Sequence, residues 1–417
     1  MPPLAALLPP AFTKPRFRLF AAGQVISIIG SWIQQVALSW LVFHLSGSVF
    51  LLGLSGFFLQ IPHLFVAPFA GMVVDRLPRV RLLIGIYIVQ ALIAALLAAL
   101  ALGGVTAVWP YLTLALLIGL SNAWEAPARQ SLIGIIVEER ALLPSAIGIN
   151  SVLFNSGRLI GPAIAGVLLL HLPEGWCFLI NAVSFVAIIG ALVAMRLDDG
   201  AAGGGPSTTA RPGMGETFRR LAALPVARYL LPLASAIALF ALPLQQLMPS
   251  VAVAFFGGDP GTLGLLMSAT GLGALISAVL LSMQRGHHMQ LRLVQLAPFG
   301  AGLALLAFSQ SRSLWLSLPC LVALGASTLS TSVSTNTLLQ QSVEDAWRGR
   351  VIGFYIMCFI GLAPLGNLIG GFIAAQIGVA PALALNGVLI LLLALAVQVR
   401  LRATAGALDS LKRSLGA

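Results

Sequence analysis

Charge is what this sequence has least of. Only 8% of its 417 residues are Asp, Glu, Lys or Arg, where an ordinary soluble chain has roughly 25%. With 59% hydrophobic residues, there is too little polar surface to coat a water-soluble globule, so most of the exterior must face lipid. Cysteine is scarce as well. Cys177, Cys320 and Cys358 lie far apart in or beside apolar runs, which excludes a disulfide framework or a metal-binding spacing and leaves small packing residues. The pair His287-His288 has no third ligand nearby, so no metal site is expected. The chain also lacks a phosphate-binding GxxxxGK[ST] loop, a nucleophile elbow and an HExxH pair. Their absence argues against ATP-driven work within the chain and against hydrolase chemistry, so neither an enzyme nor a cofactor is expected.

Basic residues outnumber acidic ones, 23 to 12. They come in short clusters between long apolar runs, with no continuous stripe and no interleaved aromatics, which excludes nucleic acid as the partner. The start of the chain places Pro2, Pro3, Pro9 and Pro10 before the basic cluster Lys14, Arg16 and Arg18. A cleavable signal peptide has the opposite order, so the first apolar run is expected to stay as a permanent helix.

A membrane span needs about 20 mostly apolar residues. Candidates lie near 17–44, 49–74, 82–104, 108–130, 145–170 and 176–196, and again near 228–252, 262–284, 292–310, 313–341, 350–375 and 381–401. Between the two sets lies a stretch rich in Gly, Pro, Ser, Thr and charge, which reads as a flexible linker over 197–227. It separates an N-terminal six-helix half, 1–196, from a C-terminal half, 228–417, with a short tail. With both termini cytoplasmic, all Lys and Arg except Arg158 and Arg312 fall in cytoplasmic segments. That asymmetry sets the expected orientation.

The halves echo each other. Gln34-Gln35 in span 1 matches Gln245-Gln246 in span 7, and span 5 and span 11 are both glycine-rich. Parallel duplication of six helices is the expected plan.

The loop after span 2 reads Gly71-Met-Val-Val-Asp75-Arg76-Leu-Pro78-Arg79-Val80-Arg81. It resembles the signature of the major facilitator superfamily. That resemblance implies an all-α membrane protein with about twelve helices in two pseudo-symmetric halves. It also implies that Gly71, Asp75, Arg76, Arg79 and Arg81 form a cytoplasmic gate motif, with the Asp75 carboxylate meeting a helix N-terminus. Pro78 and Val80 depart from the usual pattern, and Arg81 stands in for the missing base. The plain alternative is a loop held inside by its charge. In span 5, Gly148, Gly157, Gly161, Pro162, Ala165 and Gly166 resemble the antiporter motif of proton-coupled exporters, while also suiting simple close helix packing. Further stretches, GSWIQQVALSWLVFHLSGS, EAPARQSL, NSGRLIGPAIAGVL, INAVSF and RGRVIGFY, are similar to the enterobactin-exporter-like and macrolide-efflux-type branch. That similarity runs from Arg16 to Arg402 and implies a bacterial inner-membrane exporter, functional as a monomer.

Ionisable residues inside a membrane are costly and mark functional candidates. Glu125 in span 4 is a candidate proton-coupling carboxyl, because burial favours the neutral form of such a group and a nearby cation the charged form. It pairs alternatively with Arg129 at i+4, with Arg158, or with Arg76 or Arg79 of the gate. His63 is a second proton candidate, with a packed neutral histidine as the alternative. Arg158 in mid span 5 suits an anionic substrate group or a set of backbone carbonyls around Pro162. Gln24, Trp32, Gln34, Gln35, Asn155, Gln245, Gln246 and Asn336 lie at mid-span depth. They suit the lining of a cavity for an amphiphilic molecule, or hydrogen bonds between helices. The expected activity is proton-linked export of a small organic compound such as a siderophore, drug or metabolite. A lipid flippase on the same fold and a membrane sensor that moves nothing are the alternatives.

Overall fold

The computed structural model describes residues 9–74, 77–137, 139–196, 225–283 and 287–403. Every regular element among them is helical. The first six long helices are α1 (Pro15–Ser46), α2 (Val49–Val74), α3 (Arg79–Leu102), α4 (Val108–Val137), α5 (Leu143–His171) and α6 (Glu174–Ala194). Later in the chain come α7 (Pro225–Ala236), α8 (Pro243–Phe256), α9 (Pro260–Met283), α10 (His287–Gln310), α11 (Leu314–Gln341), α12 (Asp345–Phe359), α13 (Ala363–Ile377) and α14 (Val379–Ala403); α7 begins three residues inside the stretch expected as a linker, whose residues 197–224 lie outside the described ones. Proline and glycine punctuate them as local chemistry requires. Pro15 opens α1, where its missing N–H costs nothing, and Gly47 closes it at φ +61°, a conformation that would strain a residue with a side chain.

Two expected spans are interrupted. Span 7 consists of α7 and α8 joined by a π-helical turn, Ile237–Ala241. Pro243 has no N–H to close the ordinary ladder, and Leu242 N–H reaches back five residues to the Ile237 carbonyl at 3.1 Å. Span 11 breaks between α12 and α13, where the N–H groups of Ile360 and Gly361 share the Ile356 carbonyl and Pro364 opens the next helix. Gly366 on α13 packs onto the π turn: a Cβ there would stand 2.8 Å from the carbonyl oxygens of both Ala238 and Leu239.

Among the described residues, eleven helical segments are long and apolar enough to cross a membrane. The exception is α4, which carries Ser121, Asn122, Glu125 and Arg129 along its middle. It also runs to Val137 rather than ending near 130, because Leu132, Ile133, Ile136 and Val137 continue its buried face. Arg129, counted above with the cytoplasmic loops, is therefore inside a helix. That is a correction to the charge count.

The helices pack as two compact units. One holds α1, α2 from Ile61, α3 to α6, and Asp259–Ser268. The other holds Ser48–Gln60, α7, α8, α9 from Ala269, and α10 to α14. In the first, α6 packs along α1 and α3, with α5 on α1, around Phe17, Phe20, Leu83, Leu132 and Phe185. In the second, α10 packs along α11 and α14, and Leu230, Val294, Leu338 and Val397 share a core.

Candidate functional site

The first unit keeps a polar cluster within its helices, built across α1, α3, α4 and α5. On α4, one turn of helix places Glu125 and Arg129 on the same face, and Arg129 Nε donates to Glu125 Oε1 at 2.9 Å. Pro127 between them withholds its backbone N–H from the helix ladder. Their side chains are 18% and 10% exposed, and among the described residues Arg129 is the one charged side chain buried with the core. A second donor of Arg129, Nη1, reaches Asn150 Oδ1 on α5 at 3.1 Å, and its guanidinium lies 5.9 Å from the Phe154 ring centre. The guanidinium thus has two acceptors, one charged and one neutral.

Tyr87 on α3 completes the centre. It is 1% exposed and stacks on Phe185 of α6 at 6.0 Å. Its hydroxyl lies 3.3 Å from Glu125 Oε1 and 3.4 Å from Gln24 Oε1 on α1. One O–H has one proton, so it serves one acceptor at a time. A further turn along the same antiparallel pair, Gln90 Nε2 donates to Asn122 Oδ1 at 2.8 Å. The α3–α4 seam is therefore a polar ladder of Tyr87 with Glu125 and Gln90 with Asn122. Tyr87 is eight residues into α3, about 12 Å from its start at the ordinary helical rise.

The other expected site residues fall in several places. Gln34 is buried and accepts from Asn181 Nδ2 of α6 at 2.9 Å, so it ties helices together. Gly30 beside it leaves room for Ser184 and Asn181. Asn155 donates to the Ser151 carbonyl of its own helix at 2.8 Å. Trp32 meets Phe154 edge-on at 6.3 Å and lies over Gly157 and Gly161, so these two glycines clear α5 for α1. Gly166 faces elsewhere: a Cβ there would be 3.0 Å from Gly264 Cα. Gly148 faces open space and Pro162 is buried. Arg158 is half-buried one turn beyond Phe154, and His63 is half-buried on α2. Gln35 and Gln245 are half-buried. Gln246 donates to Ser55 Oγ at 2.7 Å in the second unit, and Asn336 accepts from Gln340 at 3.1 Å on α11. Of the gate motif, Asp75 and Arg76 lie outside the described residues. Gly71 is in α2, Arg79 opens α3 and Arg81 is exposed two residues later.

Chemically, the cluster is a carboxylate with an internal counter-cation that has a neutral partner in reserve. Nothing in it resembles an activated nucleophile.

Against known proteins, the family model described as transmembrane secretion effector matches residues 6–414. The chain belongs to that family of the major facilitator superfamily. It is 23% identical to macrolide efflux protein A of Streptococcus pyogenes over 396 residues, covering 92% of this chain and 95% of the relative. It is 24% identical to the staphyloferrin A transporter of Staphylococcus aureus over 385 residues, covering 89% and 92%. The fold superposes on a bacterial homologue of the human lysosomal transporter Spinster with a TM-score of 0.73 at 13% identity, covering 94% and 98%. The protein is accordingly a multi-pass membrane transporter and not an enzyme.

Sequence reading had offered Arg129, Arg158 and the gate arginines as partners for Glu125. The geometry brings Glu125 to Arg129. It adds Tyr87, Gln90, Asn122 and Asn150, which the sequence reading did not single out. A signal for Tyr87 was present: it is one of four tyrosines, and it sits three residues before Gln90 in an otherwise apolar run.

Proposed function

We propose that this family member exports a small organic compound in exchange for protons. Glu125 is the exchanging carboxyl, and Arg129 is the counter-charge released when the carboxyl takes a proton. The observation that carries this reading is the Glu125–Arg129 pair, held at 2.9 Å inside a helix with Asn150 as the second partner of the guanidinium. In the charged state Arg129 is shared between Glu125 and Asn150. In the protonated state Asn150 and the face of Phe154 hold it, and the Tyr87 hydroxyl is free to serve Gln24. A substrate that competes for Arg129 or Tyr87 biases the same balance, which is the coupling an exchanger needs. Arg158, one turn further along α5, is the side chain proposed to hold an anionic substrate group.

Macrolide efflux protein A and the staphyloferrin A transporter support efflux of a small organic molecule as the class of work. The basic-residue asymmetry supports cytoplasmic termini and a cytoplasmic linker in a bacterial inner membrane. The Gly71–Arg81 segment is proposed as the cytoplasmic gate, and the glycine face of α5 as the packing surface about which the exporter works. No second subunit is required. The test is uptake of a panel of siderophores, macrolides and other amphiphiles into inverted vesicles, with and without an imposed pH gradient. Gradient-dependent accumulation of at least one compound is expected. Accumulation that ignores the gradient would remove the proton from the mechanism.

A further inference from the structure

The second unit contains a cavity of about 550 Å³ that the transport reading does not use. It is lined by Arg228, Tyr229 and Pro232 of α7 and by Leu393, Ala396, Val397 and Arg400 of α14. Its volume is in the range of small-molecule sites, about 300–1,000 Å³. Its chemistry is divided. Arg228 and Arg400 approach it from two different helices, Tyr229 adds a hydroxyl, and the remaining wall is apolar. None of the described residues lining it is acidic.

Its position is the second, independent observation. Arg228 lies at the start of the apolar segment Ala227–Phe256, and Arg400 ends the apolar segment Val379–Arg400. An even number of crossings separates the two points, so both are at the headgroup level on the same side of the membrane. Next to the lining residues on α14, Leu392, Leu395 and Val399 are 57%, 52% and 56% exposed. These large apolar side chains form the lipid-facing stripe of that helix, and the cavity adjoins the stripe. A ligand there meets two cations at headgroup depth and aliphatic side chains toward the bilayer interior.

We propose that this cavity binds an anionic phospholipid. The phosphate lies between Arg228 and Arg400, Tyr229 donates to a phosphate or glycerol oxygen, and an acyl chain runs along Leu393, Ala396 and Val397. A zwitterionic lipid fits the apolar wall equally well but brings its own cation toward the two arginines. The site therefore discriminates by net charge. Because it lies between α7 and α14 of the second unit, bound lipid braces the two helices against each other. Basic pockets between membrane helices are suited to this role, each cation near anionic headgroups being worth about 1 kcal/mol, which corresponds to roughly fivefold in affinity.

The test is native mass spectrometry of the purified full chain in detergent. Added ligands are phosphatidylglycerol, phosphatidylcholine of the same acyl composition, and inorganic phosphate. Wild type is expected to retain phosphatidylglycerol over phosphatidylcholine. Arg228→Gln and Arg400→Gln should each reduce that preference about fivefold, and together about 25-fold. Ala396→Trp, which fills the wall and keeps both cations, should weaken binding of both lipids. Unfolding of each variant without added lipid shows whether it is folded as wild type, and Ala396→Trp provides an independent arm if an arginine variant is not. The proposal is overturned if the charge preference survives in the double variant. It is overturned equally if inorganic phosphate binds as well as phosphatidylglycerol, which would make this a free-anion site.

Discussion

Replacing Arg129 by Gln should cost far more stability than replacing Glu125 by Gln, and the reason is in the partners each leaves behind. Without Arg129, the Glu125 carboxylate, 18% exposed, keeps only the Tyr87 hydroxyl at 3.3 Å. Breaking a buried pair from one side costs about 3–5 kcal/mol, because a charge is stranded in a poor solvent for it. Without the Glu125 charge, Arg129 keeps Asn150 Oδ1 at 3.1 Å, the Phe154 face at 5.9 Å and the new amide carbonyl. That change leaves the guanidinium without a counter-charge, but its donors keep neutral acceptors, so a smaller cost of about 1–3 kcal/mol is expected. The double variant carries two neutral amides that can bond each other, and it should fall well short of the sum, with a coupling energy above about 1 kcal/mol. Equilibrium unfolding by SDS in mixed micelles measures all three. Equal costs for the two single variants, or an additive double variant, would refute the view that Glu125 and Arg129 work as one ion pair in which the arginine is better supplied with other partners.

Gly325→Ala should destabilise the second unit by about 1–3 kcal/mol or more, because its Cβ would run into the Thr270 carbonyl oxygen and lie 2.9 Å from that carbonyl carbon, all rigid backbone. Gly148→Ala, facing open space, should be neutral in the same unfolding assay. Asp259 Oδ1 accepts from the Thr262 N–H at 2.9 Å and from its hydroxyl at 3.1 Å at the start of α9, and that backbone donor holds its carboxyl below the usual range. Its folded value lies below the unfolded one, so the stabilisation is complete above about pH 4 and is lost as the pH falls through the folded value. Asp259→Ala should cost about 1 kcal/mol at neutral pH and lose that difference in acid, checked by unfolding at both pH values. Asp75→Asn should slow transport severalfold with normal expression and membrane insertion, and a wild-type rate in vesicles would dismiss the proposed gate.

The helices were legible because each depends on local composition. A run of apolar residues long enough to cross lipid admits few other folds. The breaks in spans 7 and 11 were harder to see. Pro232, Pro243 and Pro249 all lie in span 7, and only Pro243 coincides with the π turn, which depends on the close approach of Gly366 from a distant helix. The site was half legible. An acid and a base four apart on a helix announce a pair, and Glu125–Arg129 is that pair. Gln34 read equally as a cavity wall or as a bond between helices, and it is committed to Asn181, 147 residues away. Tyr87 and Asn150 have no such local mark, since their roles come from the packing of α3 and α5 against α4. Polar residues at the same depth look alike in a sequence, and only tertiary packing decides which bond to each other.

The most direct measurement is transport by Glu125→Gln in inverted vesicles, read in two modes. Gln resembles the protonated acid in shape but carries no exchangeable proton. Gradient-driven accumulation should be lost, while counterflow, in which substrate swaps for substrate and no net proton moves, should persist. Full retention of gradient-driven accumulation, or loss of both modes, would contradict the assignment of Glu125 as the exchanging carboxyl.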